Sequence, residues 1–334
     1  MYEYDKRVVL TLDAGGTNFV FSAIQGNNEM ISPIGLPAVS DNLDECLEVL
    51  VKGFDRVIAA IPVPPVAISF AFPGPADYEN GIIGDLPNFP SFRGGVALGP
   101  FLKHKYGIPV FIENDGNLFA YGEALSGALP MINRELSLAG CSREYKNLIG
   151  ITLGTGFGAG VVINKVLLTG DNGCGGDIWL MRNKKYPDML AEESVSIRAV
   201  RRVYSDLSGQ SSASLSPKDI YDIAEGIKEG DSHAAIASFN ELGIMAGAAI
   251  ASVLNVVDGL VVIGGGVAGA SKYILPALIT ELRAQLTTFS GNKFPCVSMQ
   301  VYNGEDESER ARFLSLSDSQ VVIPGTDRKS TRLN

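Results

Sequence analysis

Residues 12–21, LDAGGTNFVF, set an acid, two glycines and a threonine inside an apolar run that otherwise alternates as a strand does. Such residues weaken both the ladder and the core of a strand, so Asp13-Ala14-Gly15-Gly16-Thr17 reads as a break between two strands within residues 8–24. Residues 147–163, NLIGITLGTGFGAGVVI, repeat the arrangement, with an apolar strand, a Gly-Thr turn over residues 154–158 and a second apolar strand. Two copies of a strand-turn-strand opening predict a duplicated α/β architecture whose two turns face each other across a cleft.

Working outward, residues 41–62 (DNLDECLEVLVKGFDRVIAAIP) place Leu43, Leu47, Leu50, Val51, Phe54, Val57, Ile58 and Ile61 on one face at 3.6-residue spacing. Acids in the first turn and Pro62 at the end complete the pattern of an amphipathic helix. Residues 66–77 (VAISFAFPGPAD) and 108–117 (IPVFIENDGN) read as buried strands, the first ending in a Pro-Gly turn and the second in Asn114-Asp115. A helix follows around residues 118–126, a further one is expected over 274–289 with Pro276 in its first turn, and a last one over 304–316.

The chain has 334 residues and is 46% hydrophobic, enough for about two domains of ordinary size. A formal net charge of −10, with Lys and Arg scattered, gives no electrostatic footprint for nucleic acid or an anionic membrane surface. Any anionic ligand must be held locally, by backbone N–H groups and metal. The apolar segment 8–12 is too short for a signal-peptide core and runs into Asp13, so the expectation is a cytoplasmic protein. Residues 246–270 (AGAAIASVLNVVDGLVVIGGGVAGA) are long enough to suggest a membrane span. Asn255, Asp258 and five glycines from Gly259 onward favour a buried helix that turns at Asp258-Gly259 into a buried parallel strand.

Cys46, Cys141, Cys174 and Cys296 lie far apart, without the spacing of a disulfide framework or a sequence-local zinc site. The two histidines, His104 and His233, fall on segments that read as surface helices.

Glycine at a strand turn lets backbone N–H groups converge on an anion, because no Cβ blocks the approach. One Gly-Gly-Thr is equally well a hairpin turn; two at matching places of a repeated pattern point to phosphate cradles. Asp13 stands where a carboxylate holds Mg²⁺ through water beside phosphate oxygens, and the Thr17 and Thr155 hydroxyls are placed to donate to them. Gly264, Gly265 and Gly266 follow the last buried strand, which reads as close approach to an adenine or ribose, or as tight helix packing. Asp115 is either the cap of the following helix or a base that accepts a hydroxyl proton during phosphoryl transfer.

Taken together, LDAGGTN, FPGPAD, PNFPSF, ENDGN, GITLGTGFGAGVV, GDNGCGGDIW and VIGGGV, in that order over residues 7–320, resemble the ROK family of sugar kinases and sugar-responsive repressors. The resemblance implies two duplicated ribonuclease-H-like (actin-like ATPase) domains with a cleft between them. A small domain over 1–117 would be followed by a larger one over 118–304; residues 305–325 would return to the first, and 326–334 would be a frayed tail.

It further implies ATP and Mg²⁺ as cofactors, with Asp13, Gly15, Gly16 and Thr17 as the first phosphate loop. Gly154, Thr155 and Gly156 would lie in the second loop, and Gly264, Gly265 and Gly266 in the adenosine pocket. Asp115 would be the catalytic base, and Asn88 and Asn114 would hold the sugar. A homodimer is the implied assembly.

The departures are as informative. The family usually carries G-E-x-G-H, whose Glu and His meet the sugar, and a cysteine-rich motif that binds structural zinc with that His. Residues 176–180 read GDIWL, so Asp177, Trp179 and Leu180 replace Glu, Gly and His. NKKYPDMLAEES (183–194) stands where the zinc motif would be, without a cysteine, which reads as a zinc-free branch. Glu192, four residues before Ser196, takes the position of the motif's sugar-binding Glu, with Glu193 as its rival. Trp179 either stacks on the sugar or packs.

The implied activity is transfer of the ATP γ-phosphate to the 6-hydroxyl of an aldohexose, glucose first, with N-acetylmannosamine, N-acetylglucosamine, allose and fructose as alternatives. A repressor would need a helix-turn-helix ahead of the first strand, where seven residues precede Val8, and a charge suited to DNA. A non-catalytic sugar-binding protein is the remaining reading.

Overall fold

The computed structural model describes residues 2–15, 18–72, 74, 76–84 and 90–315, and the backbone of 319–322 and 329–332. Two compact units divide the chain: Met1–Ser126 with Thr169–Cys174, and Gly127–Leu168 with Gly175–Asn334.

The first unit opens on the predicted hairpin. Strand β1 (Val8–Ala14) pairs antiparallel with β2 (Asn18–Gln25), Ala14 opposite Phe19, so the glycine break is the turn between them. Its alternation is physical: Val8, Leu10, Leu12 and Ala14 are buried while Asp13 is exposed. Short strands β3 (Asn28–Glu29) and β4 (Ile34–Pro37) both pair with β2. Helix α1 (Leu43–Ala60) follows, its N-terminus capped by the Asn42 side chain and favoured by Asp44 and Glu45 in the first turn. Beyond it, β5 (Ala67–Ala71) adds parallel to β1. The small ladder of β6 (Ala76–Asp77) and β7 (Ile82–Ile83) and helix α2 (Leu98–Tyr106) then lead to β8 (Val110–Glu113), parallel to β5, and helix α3 (Asp115–Leu125).

The face predicted for α1 is the buried one, with Leu50, Phe54 and Val57 fully inside. Phe54 meets Phe21 edge-on at 5.1 Å between centroids and lies 6.2 Å from Phe70 and 6.1 Å from Tyr106. Strand β8 is less buried than its apolar sequence suggests, with Phe111 62% exposed, because it forms the edge of the sheet.

In the second unit, helix α4 (Ala128–Leu138) precedes a sheet that reuses the opening of the first. Strand β9 (Leu148–Leu153) pairs antiparallel with β10 (Phe157–Ile163), Leu153 opposite Phe157, and β11 (Val166–Leu167) extends β10. Helices α5 (Ile197–Ser208), α6 (Pro217–Ala224) and α7 (Ser232–Val257) come next.

Among the described residues α7 alone is long and apolar enough to cross a membrane, yet it is the core helix of this unit, with Phe239, Leu242, Ala246 and Ile250 buried. It ends at Asp258, whose φ of 47° turns the chain into β12 (Leu260–Gly264), parallel to β9. That strand is half-buried rather than buried, since it too is an edge.

Helix α8 (Ser271–Leu282) is shorter than the periodicity suggests: Gln285–Thr287 (β13) and Lys293–Pro295 (β14) form a hairpin instead. Helix α9 (Glu307–Leu314), which the sequence reading returns to the first domain, lies in the second unit. Arg310 forms a two-pronged pair with Glu135 of α4 (2.6 and 3.2 Å), and Phe313 packs on Tyr145 and Tyr302. Lys329–Arg332 (β16), within the stretch expected to fray, pairs antiparallel with Ser319–Val322 (β15).

Residues 183–194 are organised by one buried amide, Asn183, which is 2% exposed. Its Nδ2 donates to Leu190 O (3.1 Å) and Ser194 Oγ (2.8 Å), and its Oδ1 accepts from the Lys185 and Tyr186 N–H groups (both 3.0 Å). All four bonding positions of the side chain are used. Arg202 lies over the Tyr186 ring, and Lys184 and Lys185 pair with Glu281 and Glu241.

Two stability measurements follow from this packing. Phe54→Ala, which empties the centre of the aromatic cluster, is expected to cost about 3–5 kcal/mol in denaturant unfolding; a loss under about 1 kcal/mol would mean that α1 does not close this core. Asn183→Ala strands the backbone groups of its loop and is expected to cost about 2–4 kcal/mol, whether or not zinc is added to the buffer.

Candidate active site

In the first unit, strand register gathers the candidate residues. Asp13 pairs with Ala71 and Ala71 with Glu113, so β1, β5 and β8 end in one row. With neighbouring strands about 4.8 Å apart, Asp13 and Glu113 stand roughly 10 Å from each other at the carboxyl edge of the sheet, where open α/β sheets bind ligands. Gly15 begins the turn there, and a Cβ on it would lie 2.9 Å from Asn18 O. Gly16, Thr17 and Asn88 lie outside the described residues.

At the end of β8 the two readings of Asp115 separate. The cap of α3 is Asn114, whose Oδ1 accepts from the N–H groups of Gly116 (2.8 Å) and Asn117 (3.4 Å). Asp115 is the first helical residue and is exposed. One oxygen takes the Gly116 N–H at 2.8 Å; the other has no hydrogen-bond partner among the described residues. Glu113 braces the bend from behind, its Oε1 accepting from the Asn114 N–H (2.9 Å) and from Asn117 Nδ2 (3.1 Å). A free carboxylate therefore sits at a strand end on a rigid turn, able to accept a proton from a donor placed against it.

In the second unit, Gly154, Thr155 and Gly156 form the three-residue turn between β9 and β10, closed by a bond from the Gly154 N–H to Gly156 O. Gly154 O accepts the Ile197 N–H at 2.9 Å, which fixes the start of α5 against the turn. Gly264 pairs with Thr152, so β12 ends at the same edge. Gly265 has φ +89°, and a Cβ there would lie 2.4 Å from Leu153 O. Packing against β9 alone requires a glycine at that position, whereas Gly266 faces open space.

Of the two rival carboxylates, Glu192 is the one on the turn. Its Oε2 accepts the Phe157 N–H at 3.1 Å, and a Cβ on Gly156 would collide with that oxygen at 2.5 Å. Glu193 faces outward, its side chain 48% exposed. Arg198 spans both: its Nη2 donates to Glu192 Oε1 (3.1 Å) and Glu193 Oε1 (3.3 Å), and its Nη1 approaches Thr155 O at 3.4 Å. The bond to Glu192 raises the Arg198 pKa further, so the group is cationic at every working pH.

Asp177 is exposed at the start of a short 3₁₀ turn, Ile178–Leu180, and makes no side-chain hydrogen bond among the described residues. Trp179 packs against the core of the unit, and Leu180 is half-exposed.

The composition of the site bears on which groups fit it. The turn already holds an anionic oxygen on a backbone N–H, the chemistry a nucleotide phosphate needs. Asp13 presents an exposed carboxylate at the edge where Mg²⁺ would be shared with phosphate. Among the described residues no three of His, Cys, Asp and Glu stand close enough to share a metal ion. Cys46 lies in the first core, where burial pushes its thiol pKa up to about 11, and Cys174 is exposed. His104 and His233 are exposed helix residues.

Three side chains that organise the candidate site have no counterpart in the sequence analysis: Glu113, Asn183 and Arg198. Only Arg198 carried a signal, because a cation in the first turn of a helix opposes the macrodipole and asks for a nearby anion.

The comparisons with known proteins bear on the family and the fold. A glucokinase structure from Parabacteroides distasonis is 60% identical, covering 99% of this chain and 91% of its own, with a TM-score of 0.89. The glucokinase of Thermotoga maritima is 26% identical over 82% of this chain and 86% of its own length. A ROK hexokinase structure from Thermus thermophilus, 24% identical with a TM-score of 0.65 over 82% of this chain and 89% of its own, shares the fold. The sequence profile of the ROK family matches residues 9–308, and the chain, with its α/β sugar-kinase fold, belongs to that family.

Proposed function

We propose that this protein is an ATP- and Mg²⁺-dependent hexose kinase of the glucokinase type, transferring the γ-phosphate to the 6-hydroxyl of glucose. The observation that carries the reading is the Asp115 carboxylate. It stands exposed at a strand end with one oxygen free, because Asn114 has taken over the capping of α3. The 60% identity to the Parabacteroides distasonis glucokinase supports the sugar and the reaction class.

Phosphoryl transfer asks little covalent chemistry of a protein: positioning, a base for the attacking hydroxyl, and neutralisation of charge. Asp115 accepts the proton of the sugar's 6-hydroxyl as that oxygen attacks phosphorus. The turn at Gly154, Thr155 and Gly156 and the turn that Gly15 begins, continued by Gly16 and Thr17, hold phosphate oxygens through backbone N–H groups. Gly264, Gly265 and Gly266 flank the adenosine. Asp13 would hold Mg²⁺ through water, and when bound the ion supplies charge neutralisation at the transferring group.

Asn88, Asn114, Asp177 and Glu192 bind the sugar hydroxyls, with Asp177 serving in place of the longer family Glu. The finer architecture belongs to the same proposal: two duplicated ribonuclease-H-like domains with the sugar bound in a cleft between them. It is supported by two sheets that each open with an antiparallel hairpin whose first strand then pairs parallel with a later one. Closure around the sugar would exclude water, which otherwise would take the phosphate. Family membership also supports a homodimer working in the cytoplasm.

Two assays test this. ADP release from MgATP, followed with glucose, mannose, fructose, N-acetylglucosamine, N-acetylmannosamine or allose and with no sugar, is expected to rise most with glucose; nucleotide binding without stimulation by any of them would turn the reading to a sugar-binding protein. Asp115→Asn is expected to lower turnover about a hundred- to ten-thousand-fold with an unchanged melting temperature, and near-normal turnover would remove Asp115 as the base.

A further inference from the structure

Arg198 and the Phe157 N–H are two donors from different elements, 41 residues apart in number yet both bonded to one carboxylate, that of Glu192 (3.1 Å each). The chain carries a net charge of −10, and scattered cations give it no general attraction for anions. A guanidinium in the first turn of α5 works against the helix dipole and is only partly offset by surface carboxylates, the Arg198 side chain being 55% exposed. Gly156 is the third part of the arrangement: with no Cβ it leaves the space beside the Phe157 N–H that the Glu192 oxygen occupies. The result is a bidentate anion site, one backbone donor and one guanidinium, filled from within.

We propose that the Phe157 N–H and the Arg198 guanidinium together receive a phosphate group of the nucleotide, and that the Glu192 carboxylate is the internal anion this phosphate displaces. The inference rests on the nucleotide lying at the turn of Gly154, Thr155 and Gly156, as proposed above. A phosphate presents its oxygens much as a carboxylate does, and guanidinium groups bind both with paired charge-assisted hydrogen bonds.

The displacement has a functional consequence. Glu192 is also the carboxylate assigned to the sugar, so a sugar hydroxyl competes with the turn for its oxygens. Bound sugar would draw Glu192 off the turn and free both donors, so that phosphate binds best when there is a hydroxyl to receive it.

The test is the affinity of the full chain for a non-hydrolysable MgATP analogue and for adenosine, by calorimetry. It compares the unaltered protein with Arg198→Gln, Arg198→Lys and Glu192→Gln, each with its melting temperature. Arg198→Gln is expected to weaken the analogue about tenfold and Arg198→Lys about two- to threefold, while Glu192→Gln, which removes the competing charge, tightens it about threefold. Adenosine should bind all four proteins alike.

Equal affinity of the analogue for all four, or a loss for adenosine as large as that for the analogue in Arg198→Gln, would overturn the assignment and leave the kinase reading standing. An unaltered protein that binds neither ligand would overturn both. In steady state a tethering role for Arg198, acting only by holding Glu192, would raise the KM for sugar and leave that for ATP unchanged; the proposal expects the KM for ATP to rise.

Discussion

The candidate phosphate turns of this chain depend on two antiparallel hairpins that reverse direction tightly at the carboxyl edge of a sheet. Pairing of Leu153 with Phe157 leaves three residues for the second turn, and pairing of Ala14 with Phe19 fixes the first. A Cβ at Gly15 or Gly156 would crowd its turn, and glycine there leaves the space beside the chain open. Parallel addition of β5 and β8 to the first sheet, and of β12 to the second, brings further strand ends to the same edges. The row of Asp13, Ala71 and Glu113 is a consequence of register, since a shift by one residue would turn Asp13 into the core.

A second constraint acts at the junction of β8 and α3, where two adjacent polar residues compete for one capping position. A helix N-terminus accepts one side chain at its cap, and Asn114 takes that place with two bonds. Asp115 is thereby turned outward, while the negative charge still benefits from the positive end of the helix. Glu113 secures the geometry from the strand side by holding both the Asn114 backbone and the Asn117 amide. The bend is rigid because three consecutive polar side chains each have a separate task.

Residues 183–194 are held together by hydrogen bonds to one buried amide. A metal fixes a loop by tying together ligands distant in sequence; the Asn183 side chain does so with two donors and two acceptors, all satisfied, at a site from which water is excluded. The loop then delivers Glu192 to the turn at Phe157.

What the sequence determined by itself was the local chemistry. Strand alternation around Asp13, the repeated Gly-Thr break, the apolar stripe of α1 and the Asp258-Gly259 turn are all set by near neighbours, and they led to the right elements and the right family. Where tertiary partners decide, the reading failed or stayed silent. The helical period beyond Leu282 gave way to a β-hairpin, since Leu286, Thr287 and Phe294 suit a strand as well as a helix and only pairing chooses. Helix α9 went to the second unit because of Glu135, 175 residues from Arg310. The choice between Glu192 and Glu193, and the role of Arg198, depend on bonds spanning 35 and 43 residues to Phe157 and Thr155. No local pattern encodes such bonds, because the distance between their ends is set by the fold of everything in between.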